Sequence, residues 1–233
     1  MHAPTPAVDR ARLAAIYERL VAAYGPRTLA PSGEPLDELI GTILSQNTSD
    51  VNSGRAYERL KAMYPTWEEV LDASEQELYE VIKPAGLGRI KAPRIKRTLR
   101  EILRRRGELR LDFLDDLPLE ESRRWLTSLD GIGPKTAACV LLFALGKPAF
   151  PVDTHVHRVA RRLGLIGPTV GAEAAHALIE AALPPEWVYE FHVDLIQHGR
   201  RVCQAQRPRC AICPLRDLCE YYAALTATED TEG

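Results

Sequence analysis

The chain has 233 residues, 45% hydrophobic and 6% aromatic, and its 30 Lys+Arg against 32 Asp+Glu give a formal net charge of −2. At ~150 residues per domain the length allows one or two domains, and the composition excludes a disordered polyelectrolyte, a collagen and a disulfide miniprotein. No apolar stretch approaches the ~18 residues of a membrane span, and Met1-His2-Ala3-Pro4 offers neither a basic n-region nor an apolar h-region, so neither a transmembrane helix nor a secretory signal is expected.

The dominant period along the chain is helical. Leu13, Ile16, Tyr17, Leu20, Val21 and Tyr24 form one stripe, with Asp9 as a plausible N-cap and Pro26 as a stop. Pro35 opens a second helix through about Gln46, and Asp50 is placed to cap a third that ends near Pro65. Thr66 with Glu69, and Ser74 with Glu77, read as two capping boxes that start two short helices. A longer helix is expected from about Arg89 to Gly107, Pro118 suits the start of the next, and further helices are expected near 134–146, 153–164, 171–182 and 185–198. No segment alternates with period two between hairpin turns, so the pattern predicts an all-α protein of ten or more short helices. The polar, acidic tail from Thr226 to Gly233 is expected to fray.

Charge is segregated despite the near-zero sum. Eleven basic residues lie between Lys83 and Arg110, opposed only by Glu101 and Glu108. A solvated Arg-rich helix would account for this run; so would a basic surface facing a polyanion. With only 6 lysines against 24 arginines, each lysine draws attention.

Four of the five cysteines, Cys203, Cys210, Cys213 and Cys219, are spaced C-x6-C-x2-C-x5-C. Clustered cysteines without an export signal point to metal rather than to disulfides, and four thiolates suit Zn²⁺ or an iron–sulfur cluster. There is one C-x2-C knuckle where zinc ribbons usually pair two, and the unequal spacing wraps something larger than one ion, which favours a [4Fe–4S] cluster. Arg200, Arg201, Arg207, Arg209 and Arg216 flank it, so the loop itself is a candidate phosphate contact. Cys139 lies in an apolar run and reads as a buried small hydrophobe, while His155, His157, His192 and His198 lack carboxylate partners at zinc-protease spacing and read as core or phosphate-side residues.

Leu129-Asp130-Gly131-Ile132-Gly133-Pro134-Lys135-Thr136 sits between two helical stretches, with Pro134 suited to the first helical position. Outward-pointing amides followed by a helix N-terminus make an anion site, although an ordinary helix–helix turn fits as well. Lys135 in the first turn opposes the helix dipole, a local cost that serves a purpose if its amine acts as a nucleophile; a tolerated surface lysine is the plainer account. Eighteen residues on, Asp153 fits as the N-cap of the next helix, a role that would also fix a functional carboxylate.

Taken together, the hairpin with Lys135, then Val152-Asp153, then Leu195-Ile196-Gln197-His198-Gly199-Arg200 leading into the four cysteines, resemble the endonuclease III family of the helix-hairpin-helix DNA glycosylase superfamily over residues 8 to 222. The resemblance implies two helical domains flanking a DNA cleft: a six-helix domain over 28–147 with the hairpin, and a discontinuous domain of 1–27 and 148–233 with the [4Fe–4S] cluster on the four cysteines. It implies a monomeric enzyme of the bacterial cytoplasm and nucleoid. Its partner would be double-stranded DNA containing damaged bases or abasic sites, with no membrane involved. Oxidised pyrimidines would be flipped out and excised, and the abasic site cleaved by β-elimination. Lys135 would be the nucleophile and Asp153 its carboxylate partner, Gly131, Ile132 and Gly133 would meet a phosphate, and Gln46 and Leu87 would fill the gap left by the flipped nucleotide. The sequence departs from the family at Asn47-Thr48-Ser49, Pro134 and Gly88. The alternatives are a mismatch glycosylase for thymine or uracil opposite guanine, a DNA-binding or redox-sensing relative with little catalysis, and a zinc-bound helical binding module.

Overall fold

A computed structural model describes residues 8–229. Among them there are twelve α-helices and no strand, and no helix is long and apolar enough to cross a membrane. Helix α1 (Arg10–Tyr24) starts where Asp9 accepts from the amides of Ala11 and Arg12 and stops at Gly25, whose φ of 81° suits glycine. The chain then forms two compact units, Ala30–Lys147 and, for the other, the residues up to Leu29 with those from Pro148 onward.

The Ala30–Lys147 unit contains α2 (Pro35–Ser45), α3 (Asp50–Met63), α4 (Trp67–Asp72), α5 (Glu75–Ile82), α6 (Gly88–Arg106), α7 (Leu119–Thr127) and α8 (Pro134–Cys139), which runs on as a π turn over Val140–Ala144. That is one segment more than a six-helix domain, the shortest being the six-residue α4 and α8. Leu36, Leu39, Ile40, Ile43 and Leu44 make α2 the buried spine, packed against α3, α6 and α8. In α6 the buried Ala92, Ile95, Leu99 and Ile102 recur every three or four residues, while Arg97, Arg100 and Arg104 face outward.

Local chemistry sets most of the starts. Both capping boxes form, Thr66 with Glu69 and Ser74 with Glu77. Helix α3 departs from expectation: Ser49, not Asp50, is the cap, accepting from Asn52 N at 3.3 Å, and Asp50 becomes the first helical residue. Serine reaches N3 as well as aspartate does, and Asp50 then lies where the dipole favours a negative charge. Because α4 and α5 are only six and eight residues long, their caps weigh heavily. Thr66→Ala and Ser74→Ala should each lower stability by about 1 kcal/mol, read as a reduced urea midpoint at unchanged m-value.

The other unit adds α9 (Thr154–Arg162), α10 (Ala172–Glu180), α11 (Val188–Arg201) and α12 (Glu220–Glu229) to α1. Helix α11 packs on both α1 and α9. Tyr17 of α1 stacks on Trp187 at 4.1 Å and bonds Glu190, and Arg27 reaches Glu190, Asp194 and Gln197. Gly199 allows the close approach of α11 to α9, since a Cβ there would stand 3.0 Å from His155 Cβ. The expected frayed tail is corrected in part: Thr226 to Glu229 continue α12, with the Thr226 hydroxyl bonded to Tyr222 O, and 230–233 lie outside the described residues.

Candidate functional site

In the Ala30–Lys147 unit the hairpin is built as a glycine-dependent turn. Gly131 has φ 77°, a backbone conformation that favours glycine, and the Arg94 side chain lies against it, its Nε 2.9 Å from where a Cβ would stand. Ile132 is 4% exposed and its N–H donates to Leu129 O, so it anchors the turn in the core. Gly133 caps α8 and Pro134 is its first residue. Lys135 follows, half-buried, beside the buried Thr136.

Two further loops converge on this hairpin. After α2, Gln46 is half-buried and turned inward, accepting from Arg94 Nη1 at 2.8 Å and donating to Thr136 Oγ1 at 3.4 Å. Its neighbour Asn47 is exposed in left-handed backbone at φ 54°. Before α6, Leu87 is also left-handed at φ 49° and is 50% exposed, with Ile90 54% exposed beyond it. Non-glycine residues seldom take this conformation, and asparagine, with its short polar side chain, does so more readily than leucine. The left-handed backbone and exposure of Asn47 were not foreseen; the sequence marked it only as a departure from the family pattern. Gly88 is required because Tyr79 occupies the space, 2.9 Å from where a Cβ would stand. Glu38 of α2, held by Thr42, has its carboxyl raised by burial, an effect countered by the Thr42 hydrogen bond and the positive charge of Lys135.

The basic run is less free than its count suggests. Lys91 and Lys96 are buried. Arg104 and Arg105 grip Glu101, whose carboxyl these partners pull down to about 2, Arg106 lies over Phe113 at 3.9 Å, and Arg110 pairs with Asp112.

In the other unit, Asp153 caps α9, accepting from Val156 N at 2.7 Å. From the same helix, Arg158 donates to Gly199 O and Cys203 O, and Arg162 to Gln204 O and Ala205 O. The helix that presents Asp153 therefore also holds the start of the cysteine loop. Arg12 and Arg19 of α1 fix the loop's far end through Leu218 O and Asp217.

Cys203, Cys210, Cys213 and Cys219 are unpaired as disulfides and line one pocket with Leu163, His198 and Pro208. Among the described residues no three His, Cys, Asp or Glu side chains group so as to hold a single ion. Four thiols around one pocket are a donor set for an iron–sulfur cluster or for zinc. Burial pushes the Cys213 thiol up to about 11 and the Cys219 thiol in the same direction, so thiolates here require a bound cation. Arg162 Nη1 lies 3.4 Å from Cys203 Sγ, and His198 Nε2 lies 3.6 Å from Cys213 Sγ. Burial lowers His198 to about 4, so it is neutral near pH 7; its Nδ1 lies 2.8 Å from Tyr24 Oη. Cys139, in the Ala30–Lys147 unit, is buried, as its apolar surroundings imply.

A helical chain with a glycine hairpin, a lysine in the next turn and a four-thiol loop defines a class: the helix-hairpin-helix iron–sulfur proteins that act on DNA. Comparison with known proteins narrows it. The model of the HhH-GPD superfamily of base excision DNA repair proteins matches residues 40–185, and that of the iron–sulfur binding domain of endonuclease III matches 203–219. Endonuclease III of Thermotoga maritima is 36% identical over 189 residues, 81% of this chain and 84% of that protein. A candidate DNA glycosylase of Arabidopsis thaliana is 38% identical over 165 residues, and there the match spans 56% of the plant protein. Solved structures of endonuclease III with DNA, one non-covalent and one a trapped covalent intermediate, superpose with a TM-score of 0.79 at 28% identity, covering 94% of this chain and 99% of theirs. The chain belongs to the endonuclease III family of HhH-GPD base excision DNA repair proteins, bifunctional DNA glycosylases and abasic-site lyases, and it carries a [4Fe–4S] cluster.

Proposed function

We propose that the protein excises oxidised pyrimidines from duplex DNA and then cleaves the abasic strand, with Lys135 and Asp153 as its catalytic residues. The observation that carries this reading is the placement of Lys135. It stands in the first turn after the Gly131–Gly133 hairpin, next to the Thr136 hydroxyl that holds Gln46.

The unprotonated Lys135 Nζ attacks C1′ of the damaged nucleotide. The C1′–N1 bond breaks, and the base leaves with the electron pair and takes up a proton. The Asp153 carboxylate, fixed by its capping bond to Val156, accepts the ammonium proton and faces the positive charge developing on the sugar. Ring opening gives an iminium between Nζ and C1′. Loss of a C2′ proton then expels the 3′ phosphate as the C3′–O bond breaks, and water releases the lysine. Gly131, Ile132 and Gly133 serve as the phosphate-side hairpin, with Ile132 as its buried anchor. Gln46 and Leu87 fill the space of the flipped nucleotide, with the exposed Asn47 beside Gln46. When bound, the cluster supplies four iron–thiolate bonds that close the loop from Cys203 to Cys219. Both catalytic residues lie on one chain, so a monomer suffices, and a chromosomal substrate places the enzyme at the bacterial nucleoid.

A duplex with a single oxidised pyrimidine tests the reading, with a T:G mismatch and a preformed abasic site in parallel. Base release and a nicked strand are expected on the first. Cleavage of the abasic site alone would move the substrate to another lesion. Asp153→Asn should slow base release by about 10²-fold or more in single turnover, the usual scale of a positioned acid or base. An unchanged rate would leave Asp153 as a helix cap and nothing else.

A further inference from the structure

Helix α6 reaches back onto three other segments through two side chains one turn apart. Lys91 is 2% exposed, and its Nζ donates to Leu44 O at 2.7 Å and Ala85 O at 2.9 Å. These carbonyls lie two residues before Gln46 and two before Leu87, at the roots of the two loops. Arg94 donates to Gln46 Oε1 at 2.8 Å, and its side chain lies against Gly131. Gln46 completes the circuit by donating to the Thr136 hydroxyl, and Thr136 follows Lys135. A buried ammonium is costly unless fully hydrogen-bonded. An apolar side chain would fill the same space but would leave two loop carbonyls without a donor.

The geometry points to Lys91 and Arg94 as positioning residues that lock the Gln46–Asn47 loop, the Leu87 loop and the hairpin in one register, so that the gap is filled as the damaged nucleotide leaves the duplex. This rests on the function proposed above. Neither residue touches the reacting atoms; Lys91 holds the loop roots and Arg94 holds the loop to the hairpin.

The test combines a measurement without DNA and one with it. Lys91→Met and Arg94→Met are compared with wild type in the full, cluster-loaded protein. Hydrogen–deuterium exchange should rise in Lys91→Met over residues 44–48 and 85–88 together, and in Arg94→Met over 46–48 and 129–136 together. On lesion duplex, single-turnover base release should fall about tenfold or more. Borohydride trapping on a preformed abasic site, where no base needs to be displaced, should stay within about twofold, as should affinity for undamaged duplex. If Lys91→Met does not fold, the half-buried Arg94 variant decides. Equal losses on lesion and abasic substrates, or unchanged base release with unchanged exchange, would overturn the proposal. If wild type neither releases base nor traps, the catalytic role of Lys135 fails, and the paired exchange changes still decide whether the clamp exists.

Discussion

Lys135→Gln should abolish strand cleavage and borohydride trapping while duplex binding survives. Glutamine keeps most of the length of lysine, but its amide nitrogen has no available electron pair for C1′. Loss of a covalent nucleophile is among the largest single-residue effects in catalysis, and a fall of at least ~10³-fold is expected. The fold should not object. Lys135 is half-buried in the first turn of α8, where a cation opposes the dipole, so its removal should be neutral or stabilising by a few tenths of a kcal/mol. The buried Thr136 and Ile132 hold the turn without it. Binding measured by fluorescence anisotropy should therefore change little beyond the loss of one positive charge. Trapping on an abasic duplex is the decisive readout, since it records a C–N bond to the protein. An adduct that persists in Lys135→Gln would remove this residue from the mechanism and send the search to another amine.

The parts of this site that the sequence disclosed are those whose chemistry is local. Asp9, the two capping boxes and Asp153 were legible because an N-cap needs only its own side chain and an amide two or three residues on. The cysteine spacing was legible because all four cysteines lie within seventeen residues. What depended on distant partners was not. Lys91 and Lys96 counted as members of a solvent-facing basic run, yet they cap carbonyls of Leu44, Ala85 and Ala73, which no helical periodicity reveals. Gln46 was readable as a helix-end polar residue, but its inward turn depends on Arg94, forty-eight residues away. His198 was placed among core or phosphate-side histidines; the structure sets it between Tyr24 and Cys213 because α1 and α11 pack together.

Cys213→Ser should cost the protein its yellow-brown colour, much of its iron and a large part of its thermal stability. Serine is a poor iron ligand because its hydroxyl stays protonated near neutral pH, and three remaining thiols leave one iron open to solvent. Structural metal binding is folding free energy, on the order of 10 kcal/mol in small zinc domains. The loss here should be smaller, because α1, α9 and α11 have an apolar core of their own that includes Ile16, Leu20, Val156 and Phe191. It should also be directional. Arg158 and Arg162 join α9 to the backbone of Cys203, Gln204 and Ala205, so a loosened loop releases the helix whose N-cap is Asp153. Hydrogen exchange should accordingly rise across 154–162 as well as 203–219, while the hairpin around Lys135 keeps its protection. Base release would then fall more than trapping on a preformed abasic site, because the carboxylate is lost and the nucleophile is not. Full iron content with an unchanged visible spectrum would refute Cys213 as a ligand, and loss of iron with α9 still protected would show that the loop and the catalytic carboxylate are mechanically independent.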